Sequence, residues 1–158
     1  MFLGTHHINY VVSDLDKTIP FYRDVLGFKL VQDVMRENIP SYDEILGHPN
    51  VKLRVALFQL PNVDVFLELF QCFSPEMVRQ PVGYHYLGSS HTAYEVDDID
   101  AEYQRITQQG FSFINEPVDV MRDAKFVART AYLKDPDGIV IELFQCSPDA
   151  TMIKPERA

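Results

Sequence analysis

Apolar residues along the chain follow a period of two and then a period near 3.6, and this sequence of periods is met twice. Residues 6–12 and 91–96 alternate polar and apolar side chains, the mark of a half-buried strand. Leu15, Ile19, Tyr22 and Leu26 then recur at helical spacing, as do Ile99, Tyr103 and Ile106, with Gly110 standing where a left-handed residue closes a helix. Pro20 falls inside the first pattern and predicts a helix starting near Thr18, with the proline in its first turn, where a missing N–H costs little. A strand beginning at a Gly-Phe pair follows each helix, at Gly27-Phe28 and Gly110-Phe111. A variable loop and two strands joined by a turn complete the unit, with Asp135-Pro136-Asp137-Gly138 marking the turn in the second half. The predicted unit is β-α-β-β-β, present twice, with the proline- and glycine-bearing residues 75–90 as linker.

The letters repeat as well as the periods. His7-Ile8-Asn9-Tyr10-Val11-Val12-Ser13-Asp14-Leu15-Asp16 aligns with His91-Thr92-Ala93-Tyr94-Glu95-Val96-Asp97-Asp98-Ile99-Asp100. Arg54-Val55-Ala56-Leu57 aligns with Arg129-Thr130-Ala131-Tyr132, and Leu67-Glu68-Leu69-Phe70-Gln71-Cys72 with Ile141-Glu142-Leu143-Phe144-Gln145-Cys146. The first half carries the longer middle loop. An internal repeat of this kind determines how the whole chain is organised.

Composition narrows the function. At 158 residues and 46% hydrophobic the chain is expected to bury one core as a single compact unit over residues 1–150, with a C-terminal tail at 151–158. Fourteen basic against 23 acidic side chains give a net charge of −9, which disfavours nucleic acid and anionic membrane surfaces as partners. No apolar run approaches the roughly 18 residues of a membrane span. Two cysteines and the absence of a leader pattern point to a reducing, cytoplasmic setting.

The candidate chemistry lies in the repeated polar letters. His7 and His91, at equivalent strand starts, and Glu68 and Glu142, each flanked by apolar residues on a strand, are the candidate metal ligands. A carboxylate buried between apolar neighbours is costly without a cation or several donors. If the halves pack about an approximate two-fold axis, the four positions can converge, and two imidazoles with two carboxylates suit a borderline divalent transition metal. His6, His48 and His85 have no repeat partner and are read as surface residues or as supports for the ligands. Cys72 and Cys146 lie four residues beyond each Glu, about 13 Å along a strand, and are assigned to packing. Arg54 and Arg129 are candidates to hold a substrate carboxylate or phosphate. Asn9, on the strand face of His7, is a further candidate substrate contact.

These residues resemble the vicinal oxygen chelate superfamily, which includes glyoxalase I, methylmalonyl-CoA epimerase, fosfomycin-resistance enzymes and extradiol dioxygenases. The carriers are residues 7–15, Phe21-Tyr22-Arg23-Asp24-Val25-Leu26-Gly27-Phe28, residues 91–98 and residues 135–143. The resemblance implies an α+β fold of two tandem βαβββ modules, at about 4–74 and 88–147, forming a curved, cup-like mixed sheet around one divalent metal (Ni, Co, Mn, Zn or Fe). It implies His7, Glu68, His91 and Glu142 as ligands and a site completed within one chain or by strands exchanged in a homodimer. The four-ligand set is similar to that of the lyase and isomerase branch. There a small substrate with vicinal oxygens loses a proton alpha to a carbonyl through a metal-stabilised enediolate, with Glu142 the first candidate for base and Glu68 exchanging the proton on the other side. Two other readings stay open: an Fe(II) extradiol-type dioxygenase using His7, His91 and Glu142, and a non-catalytic binding or resistance protein. The chain departs from the epimerases in carrying Met121-Arg122-Asp123-Ala124-Lys125 where they have a glycine-rich segment, and the loop expected over residues 32–50, with Tyr42 and His48, carries no recognisable glutathione site.

Overall fold

A computed structural model of the protein describes residues 1–83 and 85–148; the tail expected at 151–158 lies outside the described residues. The chain divides into two compact units, Met1–Gln80 and Pro81–Ala158, the boundary falling inside the expected linker. The first unit contains β1 (His7–Val11), α1 (Leu15–Pro20), β2 (Lys29–Glu37), α2 (Pro40–Leu46), β3 (Lys52–Gln59) and β4 (Phe66–Ser74). The second contains β5 (His91–Glu95), α3 (Ile99–Gln108), β6 (Val118–Arg122), β7 (Lys125–Lys134) and β8 (Val140–Cys146). Each unit is a four-stranded mixed sheet with the same topology, β1-β4-β3-β2 and β5-β8-β7-β6, in which only the first pair is parallel. The fold is α+β, two βαβββ modules in tandem, as the repeat predicts. Among the described residues no helix is long and apolar enough to cross a membrane.

Repeated letters explain how each helix is tied to its sheet. Asp14 caps α1 by accepting from the Asp16 N–H (3.0 Å), and Asp98 caps α3 by accepting from the Ala101 N–H (3.0 Å). Gln71 on β4 accepts from the Leu15 N–H (3.0 Å) and Gln145 on β8 from the Ile99 N–H (3.1 Å), so each helix start is bonded to the strand that also carries the Glu. Helix α1 packs on β3 and β4, and α3 on β7 and β8. Leu15, Phe21, Tyr22, Phe58, Leu67 and Leu69 are fully buried in the first unit, and Ile99, Ile106, Ala131, Leu133 and Ile141 in the second. Burial of each large side chain contributes about 2–3 kcal/mol.

The structure corrects three local expectations. Helix α1 begins at Leu15 rather than near Thr18, because Asp14 supplies the cap, and Pro20 therefore ends the helix instead of starting it. The proline has no N–H to give and crowds the preceding turn, and the chain widens over Phe21–Val25 into a turn closed by Leu26 N–H to Phe21 O (3.0 Å). Residues 32–50 are not a loop: they complete β2 and form α2, whose Tyr42 and Leu46 pack with Val34, Phe70 and Cys72 around the buried Val51, Leu53 and Val55. In the second unit no strand starts at Gly110-Phe111. Phe113 makes one bridge to Leu133, and the Asn115 side chain then accepts the Tyr132 N–H (3.0 Å) in place of a ladder bond. Pro117, lacking a donor, keeps β6 from starting before Val118.

Candidate functional site

Pairing register determines which side chains share a sheet face. Glu68 pairs with Asn9 on β1 and Leu57 on β3; Glu142 pairs with Ala93 on β5 and Tyr132 on β7. The two glutamates thus occupy equivalent positions, on the face turned away from α1 and α3. Leu67 and Leu69, and likewise Ile141 and Leu143, point to the helices.

In the first unit His7 Nε2 lies 3.5 Å from Glu68 Oε2, the imidazole 43% exposed and the carboxylate side chain 18%. Asn9 Nδ2 donates to the same Oε2 at 3.2 Å. The Nδ1 atoms of His6 and His7 are 2.9 Å apart, so His6 shares a proton with the ring and orients it. In the second unit His91 Nε2 lies 3.1 Å from Glu142 Oε2. The Thr130 hydroxyl meets Glu142 Oε1 at 2.5 Å, and Glu142 is buried. Tyr132 lies edge-on to the His91 ring, centroids 5.5 Å apart. Burial first, then the Glu142 charge and a hydrogen bond to that carboxylate, hold the Tyr132 phenol above its usual range, so it stays a neutral donor at neutral pH. Beside this pair the second unit holds a cavity of about 360 Å³ lined by Ser89, Ser90, His91, Ile114, Asn115, Tyr132 and Val140.

Each unit therefore brings one predicted His and one predicted Glu together, and Asn9 with the first pair. Within neither unit do three or more His, Cys, Asp or Glu side chains among the described residues gather closely enough to hold a metal ion. The donor chemistry nonetheless fits one, since in each pair an imidazole nitrogen and a carboxylate oxygen face each other, and both imidazoles stay accessible.

Arg54 and Arg129 are placed elsewhere. Arg54 pairs in register with Gln71 and Arg129 with Gln145, on the helix side of each sheet, opposite the glutamates. Arg54 is bound to Asp16 on α1 and to Asp33 on β2, each at 2.7 Å. Arg129 contacts Asp100 on α3 and lies 3.1 Å from Asp119 on β6. Thr130, Tyr132 and Asn115 were not apparent from periodicity. The signal for the first two is in the repeat: Thr130 and Tyr132 stand where the first half has Val55 and Leu57, polar groups replacing apolar ones on either side of a shared Ala.

The profile of the Glyoxalase/Bleomycin resistance protein/Dioxygenase superfamily matches residues 4–143. The chain is 30% identical over 140 residues to YaeR of Escherichia coli, covering 89% of this chain and 94% of that protein. It is also 30% identical over 147 residues to the 2-epi-5-epi-valiolone epimerase of an Actinomyces species, covering 89% of this chain and 78% of the epimerase. Lactoylglutathione lyase GLX1 of Arabidopsis thaliana is 27% identical over 152 residues, and the match spans 90% of this chain but 44% of the lyase. A crystal structure of a glyoxalase family protein from Bacillus cereus superposes with a TM-score of 0.79 at 23% identity, over 92% of this chain and 95% of that one. With its duplicated βαβββ module and paired His and Glu positions, this chain belongs to the Glyoxalase/Bleomycin resistance protein/Dioxygenase superfamily.

Proposed function

We propose that the protein is a divalent-metal-dependent lyase or isomerase of a small substrate with vicinal oxygens, in which His7, Glu68, His91 and Glu142 hold the metal. One observation carries the reading. Of the polar residues repeated between the halves, Asp14 and Asp98 cap helices, Gln71 and Gln145 bind helix starts, and Asp16 with Arg54 and Asp100 with Arg129 join helix to sheet. His7, His91, Glu68 and Glu142 have no such structural task, and they meet as equivalent pairs. Similarity to an epimerase and to a lactoylglutathione lyase supports proton transfer as the chemistry. Neither Cys72 nor Cys146 is in a disulfide among the described residues, in keeping with a cytoplasmic setting.

A bound divalent ion would polarise the substrate's adjacent oxygens and stabilise negative charge on them. The chain's own groups do the rest. One carboxylate takes the proton from the carbon beside the carbonyl, the C–H electron pair moves toward the carbonyl oxygen, and the proton returns to the same or the neighbouring carbon. Tyr132 keeps its proton and donates, and Ile114 and Val140 provide apolar wall in the cavity.

The test is to strip the protein of metal, reload it with Ni²⁺, Co²⁺, Mn²⁺, Zn²⁺ or Fe²⁺, and screen α-ketoaldehyde thiol adducts, acyl-CoA thioesters, cyclic hydroxyketones and catechols. The expected result is anaerobic isomerisation that depends on metal and is lost in His7→Ala and His91→Ala. Oxygen consumption restricted to iron would replace the reading with dioxygenase chemistry. Ligand binding without metal and without turnover would replace it with a binding protein.

A further inference from the structure

The two site imidazoles are supported by different neighbours. His7 has a second imidazole against it: the Nδ1 atoms of His6 and His7 lie 2.9 Å apart, and the rings meet edge-on with centroids 5.2 Å apart. His6 is itself held to β4, where its carbonyl accepts the Phe66 N–H (3.0 Å) and its ring leans on the Phe66 ring, centroids 5.7 Å apart. Phe66 pairs in register with His7 and stands two residues before Glu68, so the strand that carries the carboxylate also anchors the neighbour of the imidazole. In the second half Ser90 stands at the position of His6, and the Tyr132 ring lies against His91 instead.

Two facing ring nitrogens bond only when one carries the proton and the other presents a lone pair. An imidazole that offers Nε2 to a cation carries its proton on Nδ1 and needs an acceptor there, a part usually taken by a carboxylate, a backbone carbonyl or water. His7 Nε2 faces Glu68 Oε2 at 3.5 Å while its Nδ1 faces His6, so the two nitrogens of the ring are aimed at these two tasks. The His7 side chain is 43% exposed, and an acceptor anchored on β4 limits its turning in a way that exchanging water does not. We propose, on the footing of the metal-dependent reading above, that His6 is a positioning residue: its Nδ1 accepts the Nδ1–H of His7 and so fixes the Nε2 lone pair of His7 toward Glu68. The second half has a serine at this place, so the role belongs to the first half alone.

Competition against a chromophoric chelator, with Zn²⁺ and Co²⁺ as probes, tests this without any substrate. His6→Ala and His6→Phe should each weaken metal binding about 10–100-fold, the usual cost of removing the partner of a ligating imidazole. His6→Phe keeps a ring to pack on Phe66 and loses the acceptor, which separates the hydrogen bond from packing. His6→Asn, whose side-chain oxygen can accept the same N–H, should stay within about 3-fold of the parent. In the Zn²⁺-loaded parent an NMR signal of the His7 Nδ1–H should be visible at neutral pH, retained in His6→Asn and lost to exchange with water in His6→Phe. Metal binding in His6→Phe equal to that of the parent, or a loss in His6→Asn as large as in His6→Ala, would overturn the role of acceptor. Should His7→Ala weaken binding while all three His6 variants match the parent, this inference falls and the metal reading stands. Should His7→Ala bind metal as tightly as the parent, the metal reading itself falls.

Discussion

Asp16, on the first turn of α1, is bound to Arg54 on β3 at 2.7 Å, and the same contact recurs between Asp100 on α3 and Arg129 on β7. The repeated arginines are thereby committed to joining helix to sheet. Arg54→Met is expected to lower stability by about 1–2 kcal/mol, a modest loss because Asp16 is largely exposed. It should leave metal affinity and substrate KM within about 2-fold of the parent. A large rise in KM with unchanged stability would return Arg54 to the role of substrate contact.

The same arginine sets an acid dependence. Its hydrogen bond to Asp33 holds that carboxyl below the usual carboxylate range. A carboxyl whose folded value is depressed stabilises the fold above its unfolded value, about 3.9, and the contribution is lost as pH falls through the lower folded value. Urea midpoints of the parent and Arg54→Met should therefore differ by a constant amount above pH ~5 and converge below pH ~4. A gap that persists to pH ~2 would show that packing, not charge, makes the difference.

Gln145 makes two bonds at the start of α3, accepting from the Ile99 N–H (3.1 Å) and donating to the Asp97 carbonyl (2.8 Å). Gln145→Ala should cost about 1–2 kcal/mol and raise amide exchange over residues 97–101 before the rest of the second unit. Gln71→Ala should act the same way at α1. Uniform loss of protection across the unit would assign the effect to global stability instead.

The hairpin between β6 and β7 turns through Asp123 and Ala124, with φ of 48° and 61°. Left-handed backbone at a residue bearing a Cβ costs about 1 kcal/mol. Ala124→Gly is accordingly expected to raise stability by up to about 1 kcal/mol, read as an increase in melting temperature, with metal affinity unchanged. A fall in melting temperature would mean that the Ala methyl is packed.

Much of this molecule was legible in its letters. The repeat located both modules and matched His7 and Glu68 with His91 and Glu142, the strand parity placed Asn9 on the face of His7, and Asp135-Pro136-Asp137-Gly138 marked the turn that Asp135 closes by accepting from the Asp137 and Ile139 N–H groups. What escaped was of two physical kinds. Helix α2, seven residues long, is too short to declare a period, and it forms because Tyr42 and Leu46 find an apolar sheet face to cover. The segment from Phe111 to Pro117 carries strand-like composition, but Asn115 substitutes a side-chain bond for the ladder, which pattern alone does not reveal. Alignment of the halves draws attention to what they share, whereas Thr130 and Tyr132 matter because they differ from Val55 and Leu57. The same search for likeness made the arginines look functional, when their repetition follows from two identical joints between helix and sheet.

Gln71 and Gln145 each sit three residues beyond a site Glu on the same strand, bonded to the start of the helix that follows the site His strand. The distance from carboxylate to imidazole is thus gauged inside a single module, by parts that fold together. Such a module is a finished component, delivered with its donors already aligned. A duplicated gene that encodes it twice repeats each His–Glu pair together with the bonds that set its spacing.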